Sequence, residues 1–255
     1  MLTPTPVLSP TRKLLLFAAA VLVLEGIVML AGPSPIVTPY VLVLIPAASA
    51  VGIAAVDGRR GVATLIRRLG VWRVRPRWYA AAIGIPVMEK VVVDVAGVAL
   101  GATAPERLGH ALTLSALLIP LVVFVPALIE ELGWRGFGVQ NAADAGHSPI
   151  WAALMVGVVF LALHVPLYMP GQLFADLPFW PLPMILLSVS VLLTWVYLET
   201  GSVLLAGLMH AAFNGTVPLT WGLDPGWVWQ VRALVLTAIA AAVILSSRLW
   251  RIRRT

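Results

Sequence analysis

The chain reads as an all-α fold, a polytopic membrane helix bundle of about eight transmembrane helices, and three observations lead there. Of its 255 residues 60% are hydrophobic and 11% charged, against about 25% charged in an ordinary soluble domain. Apolar runs of about 20 residues, the length that crosses a bilayer, recur from one end to the other. The basic residues gather at a few places between those runs, where orientation signals belong. No internal repeat or low-complexity tract divides the chain, so 1–255 is expected to be one transmembrane domain.

The eight expected spans cover about 14–31, 39–56, 79–101, 117–141, 149–169, 179–198, 202–220 and 228–249. Breakers separate them: Gly32, Pro33 and Pro35 after the first, Pro170, Gly171 and Pro178 after the fifth, and Asp224, Pro225 and Gly226 after the seventh. Gly and Pro are the strongest punctuation of regular structure. Between spans two and three, Leu65, Leu69 and Trp72 recur at helical spacing around Arg67 and Arg68. That pattern fits a short helix lying in the cytoplasmic interface, or a basic, solvated loop attracted to anionic lipid.

The net charge of +6 does not indicate nucleic-acid binding, because it lies on no soluble basic face. Arg12 and Lys13 precede span one; Arg59, Arg60, Arg67, Arg68, Arg73, Arg75 and Arg77 follow span two; Arg248, Arg251, Arg253 and Arg254 follow span eight. With an even number of spans these three places share a side, and the Lys/Arg excess marks that side as cytoplasmic. Both termini are therefore expected inside. The apolar run after Lys13 exceeds the ~7–15 residues of a secretory signal core, so it reads as an uncleaved first span. Gly, Ala, Val and Arg bias points to a GC-rich bacterial genome, hence the plasma membrane. The absence of cysteine excludes disulfides, thiolate metal ligands and a cysteine nucleophile.

Ionisable groups within a span cost at least about 2.5–3.5 kcal/mol each, so each needs a partner or a task. Glu25 stands in span one, and Glu89, Lys90 and Asp94 in span three. Lys90 and Asp94, four apart, share a face and are expected to pair. Span four carries Glu130-Glu131-Leu132-Gly133-Trp134-Arg135. Glu131 and Arg135 form a second i,i+4 pair. Glu130, about 100° around the helix, has no partner in its own helix. Span five carries Phe160 and, deep in the apolar helix, His164; span seven carries His210 and Asn214 on one face. Each of these fragments also has an ordinary explanation: a solvated helix end, a hydrogen-bonded core histidine, interhelical polar contacts.

Depth joins them. At 1.5 Å per residue, Glu130 lies roughly 17 Å, His164 roughly 22 Å, and His210 and Asn214 roughly 12 and 18 Å from the cytoplasmic ends of their spans. All four fall near the middle of a core about 30 Å thick. One shared polar site accounts for this without coincidence.

In order and spacing, E-E-x-x-x-R at Glu130, Glu131 and Arg135, F-x-x-x-H at Phe160 and His164, and H-x-x-x-N at His210 and Asn214 resemble the CPBP family. That family includes the type II CAAX prenyl endopeptidases and the bacteriocin-processing or Abi proteins. Arg135-Gly136, His164-Val165-Pro166 and Thr200-Gly201-Ser202 agree as well, while Trp134 stands where the family often has Phe. The resemblance covers about 117–220, which it marks as a catalytic core within the bundle. It implies hydrolysis of a peptide bond of a membrane-associated substrate, prenylated or not, within the lipid. By this resemblance Glu130 and His164 would activate a water, His210 and Asn214 would stabilise the oxyanion, and Glu131, Arg135 and Phe160 would support the site. Amide hydrolysis needs a base and oxyanion donors, which these residue types supply.

The expected cofactor is none. Glu130, His164 and His210 could alternatively ligate zinc, but the spacing is not H-E-x-x-H and Asn is a poor zinc ligand. Rival functions use the same chain: a non-catalytic bacteriocin self-immunity or scaffold protein, or a transporter using Glu25, Glu89 and Asp94. The absence of an inverted repeat of broken helices counts against the last. The expected partners are membrane lipid and a peptide or protein substrate.

Overall fold

A computed structural model describes residues 7–32, 34, 36–103, 114–216 and 223–247, with backbone only for 114–117 and 120. Among the described residues every regular element is helical. Eight helices of 14 or more residues correspond to the eight expected segments. They are α1 (Pro10–Leu30), α2 (Thr38–Ala54), α4 (Pro76–Ala99), α5 (Leu114–Gly133), α7 (Pro149–Ala162), α8 (Pro181–Thr200), α9 (Val203–Thr216) and α10 (Pro225–Ser246). Two short helices, α3 (Gly58–Arg67) and α6 (Gln140–Asp144), complete the set. Pro33, Pro35, residues 217–220, and the basic C-terminal residues from Arg248 onward lie outside the described residues.

By length and composition, α1, the run Thr38–Gly70 that begins with α2, α8 and α10 can each cross a membrane; α7 and α9 are apolar but shorter. At 14 residues they reach about 21 Å, less than a 30 Å core. Side chains such as Leu15 and Val23 on α1, Val91 and Val95 on α4, and Leu121 and Val122 on α5 are exposed large hydrophobics. This is the outer face of a bundle whose solvent is lipid, where apolar exposure costs nothing.

Local chemistry sets the ends. Ser9, Ser148 and Asp224 cap α1, α7 and α10 with their side-chain oxygens, each followed by Pro at the first turn. Gly201, at φ 67°, ends α8 in the left-handed region, and the Ser202 hydroxyl accepts from Leu205 N at 3.1 Å to start α9. The same hydroxyl donates to Val71 O at 2.5 Å, tying the start of α9 to the loop after α3. That loop differs in detail from the expectation. The helix occupies 58–67 and buries Leu65, whereas Leu69 falls in or beside a 3-10 turn and Trp72 beyond it, exposed, with the Arg73 guanidinium 4.9 Å over its ring.

Two further corrections concern the motif-bearing spans. Span five was expected to continue to 169 with His164 deep in a helix; α7 instead ends at Ala162, and His164 lies just past it, before a 3-10 turn at Val165–Tyr168. Pro166 is the reason, since its ring would clash with the carbonyl four residues back and it has no N–H to continue the ladder. Span four was expected as one regular helix to 141; the chain instead widens into a π-helical turn at Trp134–Val139 before α6. Gly133, Gly136 and Gly138 let neighbouring elements pack closely on this segment. A Cβ on Gly133 would collide with the Pro46 backbone of α2, and one on Gly138 would crowd Phe17 and Val156. Such π-turns often mark functional sites.

α5 packs on α9 and α2, and α8 lies between α7 and α10. Gly207 of α9 would place a Cβ 3.0 Å from Leu128 Cα, so a glycine is what lets α9 approach α5. The core runs through Phe17, Trp134, Phe160, Leu192, Val196 and Met209, all at most 1% exposed.

Candidate active site

The π-turn and the close α5–α9 contact bring the first and third motifs together. Arg135 Nη1 donates to Glu131 Oε1 at 2.9 Å, the pair expected from spacing, and both side chains are sealed from solvent. The same Glu131 oxygen accepts from His210 Nδ1 at 2.9 Å, a contact across 79 residues that spacing could not foretell. Arg135 Nη2 reaches Ser190 O of α8 at 3.4 Å, and Ser190 Oγ donates to Ala153 O of α7 at 2.8 Å. Glu131 and Arg135 thus join α5, α8 and α9 through hydrogen bonds to a buried ion pair.

Glu130 was expected to lack a partner in its own helix. It has one: the indole Nε1–H of Trp134, one turn on, lies 3.4 Å from Glu130 Oε2. Trp134 is fully buried and packs edge-on against Phe17 and Phe160. A phenylalanine at this position would pack but could not donate.

His164 Nδ1 lies 2.8 Å from Phe160 O. A carbonyl only accepts, so Nδ1 carries a proton, and when the ring is neutral Nε2 is the acceptor. His210 Nδ1 likewise donates, because its carboxylate partner is already ion-paired with Arg135. Phe160 stands between them, its ring 4.6 Å from His164 and 5.9 Å from His210, with Arg135 Cζ 5.9 Å from its centroid.

Two adjoining cavities gather the four candidate residues. One of about 380 Å³ is lined by Glu130, His164 and Asn214, with an apolar wall that includes Leu42, Val43 and Val123. The other, about 80 Å³, is lined by His164, His210, Asn214 and Arg232. Glu130 and His210 are buried, His164 is half-buried and Asn214 is exposed. A separate cavity of about 440 Å³ beside Lys13, Asp57, Arg68 and Asp144 touches none of them.

Arg232 is the residue the sequence reading passed over, although an arginine inside the apolar run of α10 is the same signal that singled out Glu25 and Glu89. It lies 3.5 Å from Glu89, and Lys90 pairs with Asp94 as expected. The acids of the transporter reading on α4 therefore each have a basic partner. Among the described residues no three His, Cys, Asp or Glu side chains form a group able to hold a metal ion.

No curated protein matches the chain. Residues 112–216, the stretch that holds α5 through α9 and with them all three motifs, match the family model of the type II CAAX prenyl endopeptidase Rce1-like proteins, a family of membrane proteases.

Proposed function

We propose that the protein is an intramembrane endopeptidase in which Glu130 and His164 activate a water and His210 and Asn214 receive the oxyanion. One observation carries this reading: Glu130, His164 and Asn214 line a single cavity, and His210 enters through the chamber that shares two of them. The water oxygen attacks the scissile carbonyl carbon while its proton passes to Glu130 or to the acceptor Nε2 of His164. The carbonyl oxygen becomes an anion held by the Asn214 amide and the His210 ring. Because His210 Nδ1 already donates to Glu131, an Nε2–H contact to that anion needs the doubly protonated ring, for which Glu131 supplies the countercharge. Collapse breaks the C–N bond, the proton goes to the leaving nitrogen, and the products are a carboxylic acid and an amine.

Glu131 and Arg135 hold α5 against α9 and orient His210; Phe160 separates the two histidines and supplies the carbonyl that fixes the His164 tautomer. No step is routed through a metal. The substrate class that best suits the apolar wall of the larger cavity is a lipidated peptide, and the basic clusters orient both termini toward the cytoplasm. Glu130→Ala, reconstituted in liposomes, should insert and purify like the wild type yet lose cleavage of a farnesylated CAAX-type peptide by at least about a hundredfold. Undiminished cleavage would refute the reading. Retained protection against a bacteriocin in the same variant would favour the immunity or scaffold alternative.

A further inference from the structure

The cavity of about 440 Å³ that touches none of the candidate catalytic residues lies where the start of α1, α3 and α6 meet. Its size falls within the range of ligand sites, about 300–1,000 Å³. α3 presents two different faces around it. Arg60 and Thr64, with Arg68 in the 3-10 turn that follows, recur every fourth residue and line this cavity. Arg59, Val62, Ile66 and Arg67 line a different groove. Residues four apart share a helix face, so the first set is turned toward α1 and α6 and the second away from them.

Five charged side chains line the cavity: Lys13, Asp57, Arg60, Arg68 and Asp144. The acids are already engaged. One Asp57 carboxylate oxygen accepts from Lys13 Nζ and the other from Val7 N at 3.0 Å. Asp144 accepts from Gln140 Nε2 at 2.8 Å. The two guanidinia lack a counterion. Among the described residues the Arg60 side chain makes no hydrogen bond or ion pair. Arg68 Nη1 donates to a neutral acceptor, Gly136 O of the π-turn. Thr64 Oγ1 accepts from Arg67 Nη2 at 3.1 Å, which leaves its own proton for another acceptor. Two guanidinium forks and a hydroxyl on one wall, with donors to spare, suit an anion that carries several oxygens.

The place of the cavity in the bundle says which anion. Arg12, Lys13 and the seven arginines between 59 and 77 gather at this end, and basic residues beside a membrane surface attract anionic lipid. Leu65 and Phe137 add apolar lining. Leu15 and Leu16, within one turn of Lys13, are exposed large hydrophobics that acyl chains can follow. We propose that the cavity is a binding site for a phosphate group, of the kind an anionic phospholipid headgroup carries, held by Arg60 and Arg68 with Thr64 as a further donor. Arg68 then joins the bound group to the π-turn. Gly136 directly follows Arg135, so occupancy braces the segment that positions the buried ion pair.

The test uses the full chain in neutral detergent with phosphatidylglycerol, phosphatidylcholine and inorganic phosphate. Native mass spectrometry should show phosphatidylglycerol retained at least about fivefold over phosphatidylcholine, the scale of one basic residue at a membrane surface. Phosphatidylglycerol should also raise Tm by about 2–5 °C. Arg60→Gln should abolish both effects while leaving the lipid-free Tm unchanged. Arg59→Gln removes the same charge from the other face of α3 and should abolish neither. Arg68→Gln should lose the lipid and also lower the lipid-free Tm, because Gly136 O loses its donor. Inorganic phosphate at millimolar concentration separates the sources. A shift at least as large as the lipid's that needs Arg60 assigns the site to the phosphate group alone. A smaller shift or none, beside an intact lipid effect, assigns it to the lipid headgroup. Equal retention of the two lipids with no response to phosphate overturns the proposal. Retention that Arg60→Gln leaves intact overturns it too, as does equal loss in Arg59→Gln and Arg60→Gln, which reduces the effect to general surface charge.

Discussion

Two ion pairs with the same i,i+4 spacing lie in neighbouring parts of the bundle. Lys90–Asp94 on α4 is partly open, with side chains 12% and 15% exposed, while Glu131–Arg135 at the end of α5 is 0% exposed on both sides. The first neutralises two charges that an otherwise apolar helix must carry past lipid. The second continues into His210 on α9 and the Ser190 carbonyl on α8. Identical spacing in sequence therefore corresponds to a local neutralisation in one case and to a joint between helices in the other. Around the second pair the helices pack closely: Gly207 lets α9 approach Leu128 of α5, and Gly133 lets α5 approach Pro46 of α2.

The largest expected effect comes from breaking the sealed pair on one side. Arg135→Leu leaves Glu131 with His210 alone and should cost about 3–5 kcal/mol, read by thermal unfolding in detergent, with cleavage lost. Replacing both partners sharpens the contrast. Glu131→Leu with Arg135→Leu should recover much of that stability, since apolar groups can replace a buried ion pair, but not the cleavage, because His210 loses the carboxylate on Nδ1. Lys90→Leu with Asp94→Leu should leave cleavage within a few-fold of wild type and stability within about 1 kcal/mol. Equal activity losses in the two double variants would erase the distinction.

Smaller effects follow along the same helix. Gly133→Ala drives a methyl group into the Pro46 backbone and should cost about 1–3 kcal/mol, visible as a lowered Tm. Trp134→Phe removes only the indole donor to Glu130. Its expected cost is about 1 kcal/mol of orientation, seen as a severalfold fall in kcat with KM little changed. A raised KM at constant kcat would place Trp134 in substrate binding instead.

Much of the site was legible before any coordinates. The cost of charge in lipid singled out Glu130, Glu131, Arg135, His164 and His210, and helical spacing paired Glu131 with Arg135 and Lys90 with Asp94. The same cost applied to α10 would have found Arg232, which stands alone there with no residue at i±4 to draw attention to it. The early end of α7 was legible in Pro166, because a proline acts on the carbonyl four residues before it. The indole donor to Glu130 was missed because an aromatic ring in an apolar helix reads as packing, although its N–H must find an acceptor when buried.

By itself the sequence determined that the chain is a helical bundle in lipid, which segments are its helices, and which polar groups need a partner. These follow from composition, from proline, glycine and capping chemistry, and from spacing along one helix. Only the tertiary structure decided which partner each group takes: His210 for Glu131, Ser190 O for Arg135, Glu89 for Arg232. Those contacts span 55 to 143 positions. Their geometry is set by how closely two helices pack, a property of both surfaces together that neither segment encodes alone.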